Sequence, residues 1–171
     1  AEPLAQAQGE ALAQGGALLA LAPITAPAAP PQVDPARLPI YDTDSLGALA
    51  IDAASRAAAD TGRRLLVNFG TNDCAPCRVV NDAIFEEPFK TAFFDQFVPV
   101  FVDVSAGSPN LADAARYGID PAKGLPAIVL SDESLRVSEV TRDGELRALA
   151  EKGKEAVREW LLKRFRAQEA K

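Results

Sequence analysis

The segment Cys74-Ala75-Pro76-Cys77, standing directly behind the apolar run Leu65-Leu66-Val67-Asn68-Phe69, constrains this chain more than any other. The run is short and bounded by charges and glycine, the mark of a buried strand. After a turn through Gly70 to Asp73, Val79, Val80, Ala83 and Ile84 continue at helical spacing, so the cysteines open a helix. At a helix N-terminus, unpaired backbone N–H groups and the positive end of the dipole stabilise a thiolate, which is the nucleophilic form of cysteine. Cys74 is therefore the expected attacker. Cys77, about one turn deeper, is expected to approach the first sulfur and resolve a mixed disulfide. Pro76 stiffens the loop and suits a first helical turn, with Ala75 beside it.

Two other uses of such a pair are open on the motif alone: a zinc site or a structural disulfide. Zinc wants four ligands, commonly Cys and His, and the chain has two cysteines and no histidine, so no metal is expected. Copper handling lacks soft ligands beyond the two thiols, since Met is absent as well. A disulfide closing so small a loop constrains the unfolded chain little, which weighs against a purely structural bond. The net charge of −6 argues against nucleic acid or anionic lipid, which recruit clustered Lys and Arg.

Residues 1–41 are dominated by Ala, Gln, Gly and Pro and are expected to form a flexible tail or linker, with a short helix conceivable around Glu10 to Leu21. The apolar stretch from Ala17 to Ala22 is too short to cross a bilayer, and the first positive charge is Arg37. With no Met in it, the sequence is read as either a processed mature form or a trimmed piece, and export with removal of a signal peptide is the expected reason.

Residues 42–168 carry periodic apolar patterning, and 169–171 are expected to fray. Asp42, Thr43 or Asp44 is expected to cap a first helix with Leu46, Leu49, Ile51 and Ala53 on its apolar side and Gly62 at its end. Beyond the cysteine helix, Pro88 opens a helix carrying Phe89, Phe93, Phe94 and Phe97, and Val98 to Val104 follow as a second buried strand. A helix from Asn110 to Tyr117 leads to Pro126 to Leu130, a turn at Ser131 to Ser134, and Leu135 to Val140 as a hairpin. One terminal helix from about Glu151 to Arg166 places Ala156, Val157, Trp160, Leu161 and Phe165 on one side. Strands separated by helices imply a parallel pair, and the hairpin adds an antiparallel edge. The expected class is α/β, a mixed central sheet with helices on both faces.

The passage Leu66 to Cys77 resembles the strand-to-active-site segment of the thioredoxin superfamily, and Tyr117-Gly118-Ile119 followed by Gly124-Leu125-Pro126-Ala127 resembles that family's approach to its cis-proline loop. The resemblance covers roughly residues 42–168 and implies a thioredoxin-like sandwich. It implies that Pro126 is cis, lying against the disulfide, and that Leu125 contacts the partner. The Gly144-Glu145-Leu146 segment is similar to exported bacterial members of the disulfide-isomerase-like type.

The sequence departs from the family at three places. Asp73 stands where the family usually has Trp, and a carboxylate there disfavours the Cys74 thiolate unless it serves as a helix cap. Asn68 replaces a buried Asp, and Val100 aligns with the Lys that pairs with it, so the family's proton relay for the second thiol is missing. Asn68 then tunes Cys77 by hydrogen bonding or is simply a satisfied buried amide.

The expected function is thiol–disulfide exchange on proteins, as reductase or isomerase, without a cofactor. The alternative is a thioredoxin-fold binding module whose disulfide is structural. Expected partners are protein thiols and disulfides and a redox partner, in the periplasm or another exported location, with the chain a monomer and no membrane span.

Overall fold

The computed structural model describes residues 38–166. The expected tail helix near Glu10 and the fraying at 169–171 lie outside the described residues.

The cysteine-bearing strand–helix unit forms as the apolar pattern predicts. Strand β1 (Arg64–Gly70) runs into helix α2 (Ala75–Phe85), preceded by α1 (Gly47–Thr61) and followed by α3 (Phe89–Gln96) and β2 (Phe97–Asp103). Helix α4 (Leu111–Arg116), β3 (Ala127–Ser131), β4 (Val137–Val140), α5 (Glu145–Glu151) and α6 (Lys154–Leu162) complete the chain. The four strands lie in the order β2-β1-β3-β4. β1 and β2 are parallel, as a helical crossover requires, while β1–β3 and β3–β4 are antiparallel.

Alternation along the strands builds two cores. Leu66, Ile128 and Leu130 face Val80 and Ile84 of α2, Phe93 of α3, Leu146 of α5 and Leu161 of α6. Leu65, Val67, Phe69 and Val129 face the opposite way, onto Ala54 of α1 and Ala114 of α4. The expected mixed sheet covered on both faces is what forms. Asn68 shares the α2 side with Leu66, because side chains two apart on a strand share a face.

Three local expectations give way. No side chain caps α1; Leu46 is its cap residue, and the Gly47 N–H is met by Asn110 Oδ1 at 2.7 Å from across the fold. The helix buries Gly47, Ala54 and Ala58, whereas Leu46 and Leu49 are exposed. An alanine-rich helix approaches a sheet through its smallest residues, so of the expected side Ile51 packs against the core while Leu46, Leu49 and Ala53 face outward. The expected terminal helix is shorter, running as α6 from Lys154 to Leu162, and a helix not expected from sequence, α5, precedes it; Gly153 at φ +109°, a conformation that side-chain-bearing residues rarely adopt, separates the two.

Candidate active site

The turn before α2 presents the first sulfur at the helix end. Cys74 is the cap residue of α2, and its Sγ accepts the Cys77 N–H at 3.1 Å. Pro76 lies in the first turn, where its missing N–H costs nothing. The two cysteines form a disulfide with Cα atoms 5.2 Å apart. Cys74 is half-buried and Cys77 fully buried, so an incoming sulfur meets the first and not the second.

A second segment closes the other side. Asp120 accepts the Ala122 N–H at 3.0 Å and caps a short 3-10 turn, Pro121–Lys123, which leads through Gly124 to the cis Leu125–Pro126 peptide bond and into β3. Asp73, Cys74 and Pro76 line one side of a shallow groove, and Pro121, Leu125 and Arg147 line the other. Pro126 is buried behind Leu125, and Ala75 is exposed at the head of α2.

Asp73 is fully exposed, and its Oδ1 accepts the Thr71 hydroxyl at 2.6 Å. That bond, helped by the residue's own backbone N–H, holds the carboxyl below its ordinary range. Asp73 is not the helix cap; the Cys74 sulfur takes that place.

Sequence reasoning missed the layer beneath Cys77. Residues 38–41 form a strap over the turn: Asn72 Oδ1 accepts the N–H groups of Ile40 at 2.8 Å and Tyr41 at 2.9 Å, and Asn72 Nδ2 donates to the Tyr41 carbonyl at 2.9 Å. Arg78 clamps the same strap, donating to the carbonyls of Leu38 and Asn72, each at 3.1 Å. Tyr41, placed at the end of the tail by composition, is thereby buried, with its hydroxyl donating to Asn68 Oδ1 at 3.1 Å. Burial pushes the Tyr41 phenol pKa well up, the negative charge of Asp103 adds to this, and the Asn68 bond opposes it.

The β1–β2 register sets Phe101, not Val100, opposite Asn68, which corrects the alignment read from sequence. A one-residue slip reverses the face a strand residue occupies, so Phe101 is the side chain on this face. Its ring meets Tyr41 with centroids 6.0 Å apart. Gly70, opposite Asp103, leaves room for this arrangement: a Cβ there would stand 2.1 Å from Tyr41 Oη and 2.9 Å from Cys77 Sγ. Asp103 is buried, with one carboxylate oxygen taken by Ser105 Oγ at 2.7 Å and the other without a hydrogen-bond partner.

The family model described as "Thioredoxin-like" matches residues 47–132, just over half of the chain, and spans both α2 and the cis-proline segment. The chain belongs to the thioredoxin-like family. Among solved structures it is similar to a disulphide isomerase from Xylella fastidiosa Temecula1, at 26% identity and a TM-score of 0.66, over 72% of this chain and 95% of that one. It is also similar to the C-terminal domain of Neisseria meningitidis DsbD in its oxidised form, at 18% identity and a TM-score of 0.49, over 72% of this chain and 96% of that one. No curated protein matches. In this thioredoxin-like chain the half-exposed sulfur, the buried sulfur and the groove together form a place where one disulfide can be exchanged for another. Among the described residues no cluster of His, Cys, Asp and Glu is arranged to hold a metal ion.

Proposed function

We propose that this protein is a thiol–disulfide oxidoreductase acting on protein disulfides, with Cys74 as nucleophile and Cys77 as resolving thiol. The observation that carries the reading is the difference in access between two bonded sulfurs at one helix end, beside a groove lined by Leu125, the residue that precedes the cis-proline. In the reduced protein, the Cys74 thiolate attacks a substrate disulfide, forming a mixed disulfide and releasing one substrate sulfur as thiolate. The Cys77 thiolate then attacks Cys74 Sγ, the bond to substrate breaks, and the Cys74–Cys77 disulfide forms as the substrate leaves reduced. The reverse sequence oxidises a substrate dithiol, and isomerisation follows when the released substrate thiolate attacks elsewhere in the substrate.

Within the groove, Leu125 and Pro76 contact the substrate backbone flanking the reacting sulfur, Pro126 and Ala75 shape the two loops that present it, and Asp73 and Asn68 tune the two sulfurs. The enzyme works as a monomer in the periplasm or another exported compartment, where protein disulfides persist. Similarity to a disulphide isomerase supports this placement. A second exchange protein restores the pair after each turnover.

Trapping tests the roles. Cys77→Ser is expected to accumulate mixed disulfides with protein substrates, and Cys74→Ser to form none, as read on non-reducing gels. Equal trapping by the two variants reverses or removes the assignment.

A further inference from the structure

We infer that the Tyr41 hydroxyl donates a hydrogen bond to the Cys77 sulfur when the disulfide is open, and so makes the resolving thiolate available. The inference rests on the exchange chemistry proposed above. Tyr41 Oη and Cys77 Sγ both approach one point, the position a Cβ on Gly70 would take, at 2.1 Å and 2.9 Å from it. The phenol is anchored there by its bond to Asn68 Oδ1, by the Phe101 ring and by the strap hydrogen bonds of Asn72. Beside it, Asn68 Nδ2 is buried with no acceptor, so the Tyr41–Asn68 pair holds a donor that the disulfide state leaves unused.

When a substrate thiolate attacks Cys74 Sγ, the Cys74–Cys77 bond breaks and both its electrons pass to Cys77 Sγ. A thiolate buried in this way loses water and gains stability only from donors already in place. Rotation of the Tyr41 O–H about its own C–O bond re-aims the proton from Asn68 to the sulfur without moving the ring. The phenol's raised pKa keeps that proton on oxygen, so Tyr41 shares it rather than giving it up. The same bond assists the reverse step, in which the Cys77 thiolate must exist before it attacks.

The charge that acts on the Tyr41 phenol is that of Asp103 at the end of β2; Asp73 in the turn, Arg78 and Asp82 on α2 and Asp42 beside Tyr41 are the other charged groups on the elements that carry the pair, and the test leaves all of them in place. In the full chain carrying Cys74→Ser and isotope-labelled cysteine, the Cys77 Cβ chemical shift is followed against pH, with and without Tyr41→Phe. Tyr41→Phe is expected to raise the Cys77 pKa by about one unit, roughly tenfold less thiolate at a given pH below it. Phe101→Leu loosens the packing of the same ring and keeps the hydroxyl, and is expected to leave the midpoint in place. A measurement needing no change at Tyr41 accompanies these: in tyrosine-labelled protein the Tyr41 Cζ resonance should move with the Cys77 midpoint. An unshifted Cys77 titration in Tyr41→Phe, an equal rise in Phe101→Leu, or a Tyr41 resonance flat through the Cys77 midpoint each overturns the inference. If the unaltered protein exchanges no disulfides, the proposed function fails while this titration is still readable.

Discussion

A carboxylate one residue before an attacking sulfur opposes a second negative charge there, and at Asp73 that opposition acts through solvent. The side chain is fully exposed and turned onto the Thr71 hydroxyl, so salt screens its field at the sulfur. Asp73→Asn is expected to lower the Cys74 pKa and, by favouring the reduced pair, to make the couple more oxidising. Asn retains an oxygen for Thr71, which separates charge from local structure. The shift should be well under one pKa unit and should shrink as ionic strength rises; pKa and potential measured at low and high salt check it. Unchanged values at both salts remove Asp73 from the mechanism. The departure at Asp73 was visible in sequence because it sits inside the motif. Tyr41 was not, because its partner Asn68 is 27 residues away and the segment before it reads as a proline-rich tail. Only its being one of two tyrosines in the chain could have drawn notice.

Element by element, strands and the cysteine helix were legible because a buried strand must be apolar and a helix bearing Val79, Val80, Ala83 and Ile84 must turn that side inward. The inner face of α1 was not, because Ala54 and Ala58 carry no more pattern than the alanines around them. The two-helix C-terminus shows a contact no local pattern encodes: Glu86, just beyond α2, accepts from Lys154 Nζ at 2.6 Å and from Arg158 at 2.9 Å, both on α6. The Lys154 hydrogen bond first, and then that of Arg158, hold the Glu86 carboxyl below its ordinary range. A carboxylate with a depressed folded-state pKa contributes stability that is fully present above its unfolded value and is lost as pH falls through the folded one. Glu86→Gln is therefore expected to unfold slightly earlier than the parent at neutral pH and to converge with it in acid, as followed by thermal melts across that range. The difference at neutral pH should be small, because the carboxylate is exposed and screened. A deficit that persists undiminished below the carboxylate range would show that shape, not charge, joins α2 to α6.

At the scale of the whole molecule, the sheet sets the two halves of the site side by side. β1 delivers α2 with the cysteines, and its antiparallel neighbour β3 starts at the cis-proline, so the two loops meet at one end of the sheet. The resemblance read from the motifs contained both halves in order, which is why the architecture followed from sequence. The strap, the Phe101 register and the Gly70 space did not, because each depends on how distant segments settle against one another. What this architecture serves is a disulfide that opens and closes. The central measurement is an equilibrium redox titration of the Cys74–Cys77 pair against glutathione. A reversible two-electron transition is expected at a potential above about −300 mV, within reach of physiological thiols. A pair that stays oxidised to potentials well below that value would be a structural bond, and the oxidoreductase reading would be contradicted.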